Sequence, residues 1–218
     1  KPKDLFVGRG SPNSSFRDVL LLVGGTTIAQ CINILIAPVL SRLYLPPDFA
    51  TLAIYTSILG IMCGFSNLAY HIAIPLPEDD DVSKHLLFLC IFLQSVMSFF
   101  LLLATFFLSF EFFDRWGWGI LYKFRILVPL GFWGAGVYTA VSNYVLRQSG
   151  YKALSRTRVI QKLLGAAVSV VGGLFNLKSL ALILGQLLSL SAGSLQLLKL
   201  SINKKEIFSV SFPKIIEV

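Results

Sequence analysis

The sequence predicts an all-α, polytopic membrane protein with six transmembrane helices and both termini in the cytoplasm. Three observations lead there. Runs without Asp, Glu, Lys or Arg cover 19–41, 49–77, 85–110, 126–146, 163–177 and 179–198. Charged residues are 14% of the chain and hydrophobic ones 55%, against about 25% charged in a soluble domain. Mean hydropathy is +0.75. The third observation is the placement of the cations. With the N-terminus inside, inner segments hold 14 Lys and Arg and outer segments 5, which the positive-inside rule favours.

Each run is then read as an element. About 20 apolar residues, at ~1.5 Å each, cross the ~30 Å hydrocarbon core. Five runs reach that length. The run 163–177 does so only when Val159, Ile160 and the stem of a snorkelling Lys162 extend it. Residues 1–18 form a cytoplasmic N-terminal segment, 19–200 the six-helix bundle, and 201–218 a cytoplasmic tail or the start of a loop between lobes. The first run is too long for a signal-peptide core and reads as a retained helix. Lys1 in place of Met suggests that residues precede the chain or were processed away.

The connections are short. Residues 42–48 make an outer turn, with Asp48 as the expected N-cap of helix 2. Pro75 and Pro77 close helix 2, and Asp81 or Ser83 is the expected cap of helix 3. Loop 111–125 carries Trp116, Trp118 and Tyr122, residues suited to a membrane interface. The tight turn Phe175–Lys178 makes the last two helices an antiparallel hairpin. Glycines throughout the spans permit close helix approach.

Composition also excludes function classes. The net charge of +8 follows from cytoplasmic loops, and no basic groove with interleaved aromatics points to nucleic acid. Cys31, Cys63 and Cys90 lie in apolar runs without metal or disulfide spacing, and read as small buried hydrophobes. No cofactor is implied. No nucleotide-binding loop is present, so ATP use by this chain is not expected.

The polar groups within the spans are Gln30, Asn33, Asn67, Gln94, Asn143 and Gln186, with Thr26, Thr27 and Ser142. Gln30 and Asn33, three apart, share a helix face. Such groups either line a polar path or bond neighbouring helices at ~0.6–2 kcal/mol each; for Gln94 the bonding role is favoured. Arg42 ends helix 1, as a ligand for phosphate or sugar acid or as a partner of the helix dipole. His71 is a candidate for proton coupling or for a helix–helix hydrogen bond. Arg147, Arg156 and Arg158 are inner-face phosphate candidates, although the positive-inside bias alone accounts for them. No cation is expected at mid-membrane.

Gly25-Thr26-Thr27-Ile28-Ala29-Gln30, followed by Pro38-Val39-Leu40-Ser41-Arg42-Leu43-Tyr44-Leu45-Pro46-Pro47-Asp48-Phe49-Ala50, resembles the opening of the bacterial polysaccharide flippases. These are the O-antigen type members of the multidrug/oligosaccharidyl-lipid/polysaccharide superfamily. Ala73 to Asp80, and Tyr151-Lys152-Ala153 through Ser155 to Gln161, look similar too, so the resemblance spans about residues 18–200. Pro47 and Ala50 replace the family's usual Glu and Gly, and Ala69 and His71 its frequent Arg and Glu.

The resemblance implies one six-helix lobe of a two-lobed transporter, an N-terminal half. It implies movement of lipid-linked oligosaccharide across a bacterial cytoplasmic (inner) membrane, with membrane lipid and a second lobe or homo-oligomer as partners. The substrate path would take in Gln30, Asn33, Arg42, Asn67, His71, Asn143 and Gln186. Three rivals stand beside it. One is a small-molecule exporter of the same superfamily. Another is a membrane-embedded glycolipid enzyme using Glu78 to Asp81 with His85 on a metal. The third is a scaffold or nonfunctional remnant.

Overall fold

A computed structural model describes residues 12–202 except Glu78 and Ser149. The cations counted above at 1–11 and 203–218, and Glu78 of the acidic run, lie outside the described residues. The described chain is all-helical, with α1 (Pro12–Leu43), α2 (Pro46–Gly64), a 3-10 segment (Ser66–Ile72), α3 (Asp80–Phe107), α4 (Phe110–Arg115), α5 (Gly119–Tyr122), α6 (Leu127–Arg147), α7 (Tyr151–Leu174) and α8 (Ser179–Ile202). Four of these, α1, α2, α3 and α7, are long and apolar enough to cross a membrane. The chain is thereby built as a membrane protein.

The central helix is α6, because its small residues let three neighbours close on it. A side chain added at Gly131, Gly134 or Gly136 would overlap Tyr55 of α2, Ser191 of α8 and Gln94 of α3 respectively. Its Val137, Ala140, Val141 and Tyr144 form one core with Leu87, Cys90, Leu154 and Leu197. Nearer the other end, Phe132 and Val128 pack with Tyr55, Leu59 and Ile183. Ser98 of α3 donates to the Pro129 carbonyl at 2.9 Å, and Trp133 to Ser95 at 3.1 Å.

The expected antiparallel hairpin is α7–α8. Gly165, Ser169 and Gly172 face Ser189, Gly185 and Ala181, so residues ascending one helix meet residues descending the other. This is small-residue packing of backbone on backbone, which dispersion and close polar contact favour in lipid. α1 lies on the outer side of α7: Gly25 meets Ser155 and Leu43 meets Gly173. The long helices thus alternate in direction. One end of the bundle collects the α1–α2 turn, α4, α5 and the α7–α8 turn. The other collects the 3-10 segment and the α6–α7 turn.

Five local expectations are corrected. The run 49–77 is not one helix: α2 stops at Gly64, and Asn67, Leu68 and Ala69 take left-handed φ of 53°, 47° and 62°. Leu45, not Asp48, is the N-cap of α2; Asp48, three residues in, accepts from the Leu45 N–H at 3.2 Å. Asp79, not Asp81 or Ser83, caps α3 by accepting from the Asp81 N–H at 2.9 Å. Ser83 donates instead to the Ile74 carbonyl. Loop 111–125 contains two short helices, where Phe110, Tyr122, Phe113, Phe112, Trp116 and Trp118 form a chain of ring contacts. Cys31 is exposed on α1, while Cys90 is buried as expected.

Candidate functional site

The turn that ends α1 is a structural clamp. Tyr44 is buried and its hydroxyl donates to the Ser169 carbonyl of α7 at 2.5 Å. Burial, and then the Asp48 carboxylate, raise its pKa above the ordinary tyrosine value. Asp48 accepts from the Ser179 hydroxyl at 2.6 Å and so ties the start of α2 to the start of α8. Negative charge near both N-termini also suits their dipoles. Within the Arg-Leu-Tyr-Leu-Pro-Pro-Asp stretch, Arg42 alone of the charged groups stays exposed.

Along α1, two flanks differ. Thr26, Gln30, Asn33 and Ala37 succeed one another at three- and four-residue steps, so they share one flank. Gln30 and Asn33 are exposed, and the Asn33 amide donates to the Gln30 carbonyl oxygen at 3.4 Å. Ile28, Cys31 and Leu35 fall on the opposite flank, also exposed. An apolar flank suits lipid. A polar flank does not, because lipid cannot satisfy an amide.

Sequence reasoning did not place Lys162 at the level of that flank. Ser155, Lys162 and Gly173 lie seven and eleven residues apart, one stripe of α7, and both ends of that stripe touch α1. The register from Gly25–Ser155 to Leu43–Gly173 sets Lys162 level with Ile32, beside Asn33. That depth is near the middle of the apolar run of α1, about 14 Å from its end at Ser41 at ~1.5 Å per residue. Lys162 is half-buried there. Lys162, expected to snorkel to the interface, thus lies level with the middle of the apolar run of α1. The hidden signal was register, since on α7 alone Lys162 reads as the edge of a short run.

The other candidates are dispersed. Asn67 is fully buried: its N–H donates to Gln94 at 3.2 Å and its amide to the Gly136 carbonyl at 3.1 Å. Gln94, also fully buried, donates to the Phe132 carbonyl at 2.8 Å. These two hold the left-handed segment against α6. The Asn67 side-chain oxygen and the His71 Nδ1 are buried without a hydrogen-bond partner among the described residues.

Asn143 donates to the Thr139 carbonyl within its own helix at 2.9 Å, and Gln186 accepts from Ser189 at 3.4 Å. Arg147 reaches the Asp80 carboxylate at 2.5 Å and the Pro77 carbonyl at 2.8 Å, which fastens the α2–α3 connection to α6. Arg156 is exposed, and Arg158 lies near the Tyr138 hydroxyl.

The acidic run is engaged elsewhere, with Asp79 capping, Asp80 on Arg147 and Asp81 on Lys84 at 3.0 Å. Among the described residues no three His, Cys, Asp or Glu side chains gather. Compared with models of protein families, with curated proteins and with solved structures, the chain matches none.

Proposed function

We propose that this chain is a six-span lobe of a transporter that moves a phosphate-bearing, lipid-linked oligosaccharide across the bacterial cytoplasmic membrane. Besides the four spans given by length and composition, α6 and α8 serve as the other two, with the start of α1 and the end of α8 in the cytoplasm. The observation that carries the reading is the polar flank of α1 with Lys162 at the same depth. A sugar needs hydrogen-bonding walls, and a phosphate needs a cation where water is scarce. Gln30 and Asn33 supply the first and Lys162 the second. Arg42 at one end, and Arg156 with Arg158 at the other, provide cations where the phosphate enters and leaves. A second lobe, or a second copy, closes the flank into a cavity. Alternating access then exposes that cavity to each side in turn.

The test is complementation. In a bacterium lacking its own polysaccharide flippase, surface polymer is measured with this chain inserted, alone and with a second lobe. Polymer is expected to return, to vanish with Lys162→Met and to persist with Lys162→Arg. Restoration by Lys162→Met equal to that of the unaltered chain removes the cation from the mechanism. No polymer in any pairing, from a correctly inserted chain, removes the transport reading.

A further inference from the structure

At the end of the bundle that carries the α1–α2 turn, a cavity of about 630 Å³ opens between α5 and the α7–α8 turn. Its walls are of two kinds. Phe124, Leu177 and Leu180 are apolar; Lys123, Lys178 and Asn176 are polar and exposed. Neither lysine makes an ion pair among the described residues. The nearest acid on the neighbouring turn, Asp48, is engaged by the Leu45 N–H and the Ser179 hydroxyl. Lys123 and Lys178 are thus unpaired at the mouth, while the Asp114 carboxylate lies against Gly119 of the same wall; the N-terminus of the 24-residue α8 adds its dipole to the positive side.

Two further features mark the place. The adjacent α4–α5 region is rich in Trp and Tyr, with Trp116 61% exposed, as at the headgroup level of a bilayer. And Lys178 holds a left-handed backbone, φ 51°, where glycine would sit without strain. A lysine at such a position, where glycine would be unstrained, points to a use for its side chain.

We infer that this cavity binds an anionic phospholipid, with the phosphate between Lys123 and Lys178 and the glycerol and upper acyl carbons against Phe124, Leu177 and Leu180. The mixed walls fit an amphiphile better than a free ion, and the site sits where such headgroups lie. The site goes beyond the transport reading and does not depend on it, since it needs only a membrane at the level of the aromatic cluster.

The test uses the full chain purified in detergent and titrated with phosphatidylglycerol, phosphatidylcholine or inorganic phosphate, bound lipid being counted by native mass spectrometry. Phosphatidylglycerol is expected to bind more tightly than phosphatidylcholine, with a loss of about fivefold per lysine removed. Lys123→Gln with Lys178→Gly should abolish the preference, and Lys152→Gln, at the opposite end, should leave it intact. Lys178→Gly should at the same time keep or raise the melting temperature, which separates lost binding from lost folding. Equal retention of the two lipids by the unaltered chain overturns the proposal. So does a preference that survives the double substitution, or displacement of the lipid by inorganic phosphate at equal concentration.

Discussion

The two ends of this bundle are held by opposite strategies. At the turn end, tight connections are locked by buried side chains that each satisfy backbone or charge across helices. Tyr44 bonds α7, Asp48 bonds Ser179, and the last turn of α7 packs on Leu43. At the other end, α2 breaks at Gly64 and its continuation runs through three left-handed residues. There a strained backbone is held by a small buried network on α3 and α6. The lesson is that glycine packing and polar bonding divide the work. Where backbones touch, shape decides stability; where the backbone is irregular, hydrogen bonds do.

The largest effect is expected where backbones touch. A Cβ at Gly165 would lie 2.6 Å from the Gly185 carbonyl oxygen and 2.8 Å from Ser189 Cβ, so no flexible side chain can yield. Gly165→Leu should separate α7 from α8 and cost about 3 kcal/mol or more, the upper range for overpacking. Thermal unfolding in detergent reads it. A variant with an unchanged melting temperature would mean that the hairpin is looser than its geometry.

Next comes the network at the break. Gln94→Leu keeps the volume but strips the Asn67 N–H of its acceptor and the Phe132 carbonyl of its donor. Buried groups left unpaired cost ~1–3 kcal/mol each, so a loss of about 2 kcal/mol is expected even after partial relaxation. Cysteine accessibility at Leu68 should rise in the same variant as the segment loosens. Unchanged accessibility with unchanged stability would show that the network is dispensable.

At the turn end a single bond is smaller. Tyr44→Phe removes only the hydroxyl that donates to Ser169, so about 1 kcal/mol is the expected loss. Gly165→Leu should exceed it clearly. The reverse ranking would place more of the stability in the clamp than in the hairpin.

How much of this was legible beforehand differs between the ends in the same way. The α7–α8 hairpin follows from two apolar runs and a short turn, because hydropathy and length set it. The clamp was visible only as the Arg42-to-Asp48 motif; that Tyr44 and Asp48 reach α7 and α8 is a tertiary fact. The break in α2 was hidden by a run that stays uncharged to Pro77. Its one signal is Gly64-Phe65-Ser66-Asn67, since asparagine tolerates the left-handed region best among residues with a side chain. The level of Lys162 along the bundle was not legible because it comes from α1, and a single helix carries no such ruler.

The smallest effect tests the strain itself. Leu68 is 57% exposed with φ 47°, so its side chain packs little while its backbone pays for the conformation. Glycine there relieves ~1–2 kcal/mol of left-handed strain but gives the unfolded chain ~0.4–1 kcal/mol of extra freedom. A net gain of about 0.8 kcal/mol follows from the midpoints of those two ranges. Leu68→Gly should therefore raise the melting temperature slightly, against the usual direction for glycine in an apolar run. If it lowers stability as glycine does inside a regular helix, then 66–72 is helical in the protein under test. The contrast between the two ends would then disappear.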